Sequence, residues 1–129
     1  MNSLAANAVL AAHRATLAVA GVAVQYRRGN DVIDLTLLPA RAQVVDDNGD
    51  EFSQTSREKD WIVALEDLTV LSAPFLPARG DRILETAIDG APRHYEVLPR
   101  DGERPFRHCD VDGVKIRIFT VETITTADP

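Results

Sequence analysis

The chain has 129 residues, 45% of them apolar and 26% charged, with a formal net charge of −6 and a pI near 4.9. That length gives one domain with room for a real core, because a compact chain of this size buries roughly two-thirds of its unfolded surface. The acidic balance disfavours a protein that grips nucleic acid through phosphate contacts, unless its basic residues gather on one face. The lone Cys109 excludes an internal disulfide.

Residues 3–20 are rich in Ala and Leu and contain no Pro or Gly, which predicts a helix with Ser3 as N-cap and Gly21 as its stop. The apolar run from Leu4 to Val24 is broken by Asn7, His13, Arg14 and Thr16, and no basic segment precedes it. It therefore reads as neither a signal peptide nor a membrane span, and a soluble, intracellularly made protein is expected. Its wheel is mostly small and apolar, so two packings are open: on the chain's own sheet, or wedged between subunits.

From Val22 the period changes to two. Val22, Val24 and Tyr26 form one run, Ile33, Leu35 and Leu37 another, and "RGND" between them predicts a hairpin with Gly29-Asn30 in the turn. A third strand is expected over Ala42 to Val45. It leads into "DDNGDE", and residues 46–59 read as a long, exposed, mobile acidic loop. Trp61, Val63 and Leu65 predict the next strand, and Pro74 and Pro77 an extended connector. Arg79-Gly80-Asp81 reads as a turn opening "RILETA", not as an adhesion signal, which would need export and a flexible tip. Asp89-Gly90 lies in the loop before "RHYEVL". A last hairpin runs from Phe106 to Asp110, turns at Asp112-Gly113 and returns through Val114, Ile116 and Ile118. The expected fold is mainly β: a small antiparallel β-barrel or sandwich with an N-terminal helix and a long mobile acidic loop. A single domain 1–129 is expected, with the helix at 3–20, the barrel at 22–122, the loop at 46–59 and a tail at 123–129.

No pattern for chemistry emerges. "RHCDVDG" gathers His108, Cys109, Asp110 and Asp112, yet it lacks paired zinc-ligand spacing. Asp46, Asn48 and Asp50 alternate as in a calcium loop, but Glu51 stands where the loop needs Gly. Ser53, Ser56, Ser72 and Cys109 sit in no nucleophile motif, and His13, His94 and His108 are each explained by packing or surface. Arg27, Arg28, Arg100, Arg104 and Arg107 could line a basic edge, diluted by acidic neighbours. No catalytic residue, metal or cofactor is assigned, and an enzyme is the weakest class.

"RGDRILE", "YEVLP", "DGERPFRHCD" and "KIRIFTVE" in succession resemble the head-completion, or head–tail joining, proteins of tailed phages and prophages, over about residues 20–122. The combination carries the likeness, with Phe106, Arg107 and Asp110 as an aromatic-Arg-x-x-Asp element before the closing "RIFT" strand. Phe106 and Phe119 depart from the Trp and His expected at those positions. The resemblance implies a small barrel with a long mobile loop and a mechanical role. Copies would form a connector ring in the virion, made in the bacterial host cytoplasm, that joins the DNA-filled head to the tail. Implied partners are other connector and tail proteins and passing DNA without specific binding, with no membrane. The loop acids Asp46, Asp47, Asp50 and Glu51 would either face the channel and repel phosphates or order on a neighbouring ring. A tail-terminator or minor tail protein and a barrel used as a general binding module are the alternatives.

Overall fold

Alternation of period two and the Gly29-Asn30 turn fold the first hairpin, β1 (Val22–Arg28) on β2 (Asp31–Arg41), with Arg28 opposite Asp31 across a two-residue turn. Gly29 has φ of 58°, the left-handed conformation such turns demand. A helix, α1 (Leu4–Ala20), precedes the hairpin. After it come β3 (Glu58–Ala64), a 3₁₀ turn (Leu65–Asp67), β4 (Thr69–Val70), β5 (Ala73–Pro74), β6 (Arg82–Thr86), β7 (Pro92–Val97), β8 (Phe106–His108) and β9 (Lys115–Thr123). The computed structural model describes residues 4–41, 58–70, 73–86, 91–100, 102 and 104–123, with Arg41 and Val70 as backbone alone.

The sheet runs β3-β2-β1-β6-β7-β9, and pairing of β3 with β9 closes it into a six-stranded antiparallel barrel. Closure decides between the barrel and sandwich expectations, and it removes the free edges that an open sheet exposes. On the other side of β9, β7 pairs with residues 120–123 and β8 with residues 116–118. Phe119 lies between, accepting from Leu98 N–H and donating to the Pro105 carbonyl. β7 and β8 thus form one line along β9, broken after Leu98 and resumed at Pro105.

Inward residues alternate with outward ones and fill the barrel. Trp61, Tyr26, Leu37, Ile83, Ile116 and Ile118 are essentially fully buried, and Trp61 meets Tyr95 edge-on at 5.3 Å. Six strands enclose room for side chains alone, so the interior is a packed core and not a passage.

α1 lies on its own barrel, against β2, with Ala6 and His13 its two buried residues. Arg14 anchors it by donating to both Asp67 oxygens at 2.6 and 2.8 Å and to Glu66 at 2.8 Å. The helix stops at Gly21, whose N–H donates to the Leu17 carbonyl. There a Cβ would come within 2.6 Å of that same oxygen and of Thr36 Cγ2.

Two boundaries and one connector differ from expectation. β3 begins at Glu58, so Glu58 and Lys59 are strand and not the end of the acidic loop. The charges of "EKD" suggested solvent, but the fold supplies partners for them. β9 extends to Thr123, the residue at which a tail was expected, because Thr123 pairs with His94. The prolyl connector contains a small hairpin, with Thr69 opposite Pro74. The strand expected over 42–45, the Ser3 cap, the loop from 46 to 57, the Asp89-Gly90 loop and the tail from 124 lie outside the described residues.

Candidate functional site

The direction of each strand sorts its connections between the barrel's two ends. At one end lie the Gly29-Asn30 turn, residues 65–70 and 73–81, and the β8–β9 turn. At the other lie the ends that bound residues 42–57, namely Arg41 and Glu58, together with the junction of α1 with β1 and the strand ends Thr86, Pro92 and Thr123. The four acids singled out from the sequence, Asp46, Asp47, Asp50 and Glu51, lie outside the described residues. What is described is where their segment leaves the barrel and returns to it.

The return point is built from ion pairs on both faces of β3. Alternation sends Lys59, Trp61 and Val63 inward. The Lys59 ammonium sits 4.3 Å from the centre of the Trp61 ring and 5.2 Å from that of Tyr95, and pairs with Glu85 at 3.3 Å. Tyr95 donates its hydroxyl to the same Glu85 oxygen at 3.1 Å. Burial, then the Glu85 charge and that hydrogen bond, push the Tyr95 phenol up to about 12. These groups close the barrel at this end.

On the outer face Asp60 is 2% exposed, which is tolerable for a carboxylate only with charged partners. Arg100 supplies one at 2.5 Å and Arg117 another at 3.3 Å, while Arg100 also reaches Glu58 at 3.5 Å. The Arg100 guanidinium stacks 4.7 Å over Phe119. Phe119, where His was expected, is thereby buried under an arginine. Arg100 lies just past Leu98, where that line breaks, so this cluster straps Arg100 across Phe119 of β9 to the start of β3. Phe106, where Trp was expected, is a core residue 5% exposed.

The opposite end is closed by the Arg-Gly-Asp turn. Asp81 is 4% exposed. Its carboxylate accepts from the Tyr26 hydroxyl, from Arg28 at 2.7 Å and from Ala78 N–H at 2.9 Å. Gly80, at φ of 93°, donates to the Val97 carbonyl, and Val97 N–H donates to that of Asp81. Burial, then the Asp81 contact, push the Tyr26 phenol well above its ordinary value. A receptor would need this carboxylate in the open, and it is committed to the fold.

The other sequence candidates disperse. Arg28 and Arg100 are held in these two clusters. Arg104 covers Phe106 at 4.8 Å, while Arg27 and Arg107 stand exposed on β1 and β8, so the five arginines form no common edge. Asp110 accepts from Val114 and Lys115 N–H and shapes the β8–β9 turn, beside exposed Cys109 and His108. Sequence reasoning missed Lys59, Asp60 and Glu85, and gave Asp81 and Arg100 other places, in a turn and on a basic edge. The sole local signal was that the alternation of Trp61 and Val63 extends back to Lys59.

Fold and polar clusters together define a small closed-barrel protein whose charged side chains hold its connecting segments in place, a structural module. The chain matches the family described as "Phage head-tail joining protein" over residues 2–127 and belongs to that family. Its role is that of a structural component connecting phage head to tail. No curated protein and no solved structure matches.

Proposed function

We propose that copies of this chain assemble as a ring between the DNA-filled head and the tail, and that the segment carrying Asp46, Asp47, Asp50 and Glu51 meets the passing DNA. The family match over nearly the whole chain carries the reading. The filled interior supports a channel bounded by several copies in preference to one running through a barrel. An acidic wall repels phosphates and lets the duplex slide without adhering. The work is mechanical: the paired charges at both ends of the barrel position segments.

The decisive experiment is electron microscopy of lysates from the source genome with this gene deleted. Separate tails beside unjoined heads, restored to joined particles by the supplied protein, are expected. Normal joined particles overturn the joining role, and a tail defect alone moves the protein to tail completion. Changing the four acids to Asn and Gln tests the segment: altered DNA retention or ejection is expected, and unchanged behaviour overturns the channel placement while leaving the joining role intact.

A further inference from the structure

We infer that α1 is a pH-gated arm, which lies on the barrel while His13 is neutral and lifts away when His13 takes up a second proton. The geometry begins with how little holds the helix. Two of its seventeen residues are buried, Leu4 and Val19 on its outer side are 87% and 89% exposed, and its polar anchor is the Arg14 pairing to Glu66 and Asp67. One of the two buried residues is titratable. His13 is 3% exposed, and its Nε2 has no hydrogen-bond partner among the described residues.

A second proton on this imidazole would place a charge in a buried site with no acceptor for the new N–H, the arrangement that costs most in a protein interior. The surrounding charges add to that cost. Lys115 on β9 and Arg14 on α1 both oppose protonation, and Asp67 on the 3₁₀ turn favours it. Glu66 and Asp112 flank the gap between helix and barrel that Ala6 and Leu10 line. Burial first, then Lys115 and Arg14, hold the imidazole below its ordinary 6.5.

The linkage follows from that direction. A proton binds more tightly to His13 in the lifted state than in the docked one, so docking is fully favoured above pH 6.5 and weakens as pH falls below it. If docked His13 stays neutral, the docking equilibrium at pH 5.0 falls by up to about thirtyfold relative to pH 7.5.

The test uses the full chain with Cys109→Ser and a spin label on Ala8→Cys, an exposed position on α1. Gly113 and Val114 line the same gap as Ala6 and Leu10, so their amide signals are broadened while the helix is docked. Broadening at pH 7.5 that is relieved by pH 5.0, with the fluorescence of buried Trp61 unchanged, is expected. The His13 imidazole, followed by NMR, titrates with a midpoint below 6.5 that coincides with this relief. In His13→Gln the relief is absent. Persistent broadening at pH 5.0, the same relief in His13→Gln, an imidazole midpoint at or above 6.5, or Trp61 fluorescence changing in step with the helix each overturns the arm.

Discussion

Asp81 shows how one side chain can have a misleading neighbourhood in sequence and a definite one in space. Within Arg79-Gly80-Asp81 it looks like a surface acid, yet it is the acceptor for Tyr26, Arg28 and the Ala78 N–H. Removing one partner of a buried charged pair leaves the other uncompensated. Asp81→Ala is therefore expected to cost about 2–4 kcal/mol in urea denaturation, with Arg28 being partly exposed holding it below the largest such values. A loss under about 1 kcal/mol would show that the cluster is dispensable. Asp110 behaves differently. Burial raises its carboxyl, but the N–H groups of Lys115 and Val114, followed by that of Asp112, outweigh this and hold it below its ordinary 3.8. A depressed carboxylate contributes stability that is present above its unfolded value and lost as pH falls through the folded one. The amides of Val114 and Lys115 should thus lose exchange protection below about pH 4, and Asp110→Ala should abolish that step.

Elements were legible where their signals are local. The 3–20 helix, the Gly29-Asn30 hairpin and the Asp112-Gly113 turn depend on propensity and turn chemistry within a few residues, and each is found within a residue or two. β3 was misjudged at its start because Glu58, Lys59 and Asp60 look solvated until Arg100, Arg117 and Glu85 are brought to them. Gly21 was read as a helix stop, which it is, but its requirement is tertiary. The Thr36 methyl of β2 leaves no room for a Cβ. Gly21→Ala should cost about 1–3 kcal/mol through overpacking of the α1–β2 contact. Thermal unfolding checks this, and a melting temperature equal to or above that of the parent would show that the junction relaxes freely.

For the whole molecule the charged residues act as straps over a closed, filled barrel. The Arg100 strap is expected to be partly separable from the barrel itself. Arg100→Ala leaves Asp60 with Arg117 as its remaining charged partner among the described residues and uncovers Phe119, at a cost of about 2–4 kcal/mol. Hydrogen exchange should rise first at Leu98 and Phe119, while the β1–β2 amides stay protected. Equal loss of protection everywhere would mean that the strap and the barrel fold as one unit.

Alternation, turn residues and composition determined by themselves that this chain forms an N-terminal helix and a series of short antiparallel strands, because those signals act between residues close in sequence. The order of motifs in its second half pointed to the head–tail joining family. Tertiary structure alone decided that β3 meets β9 to close a barrel and that Asp60, Asp81 and Glu85 are held inside charge clusters. Their partners lie across the fold: 40 residues separate Arg100 from Asp60, and 53 separate Arg28 from Asp81. Coulomb attraction and desolvation depend on distance through space, so a charge next to a loop in the sequence becomes structural only when folding delivers its counter-charge.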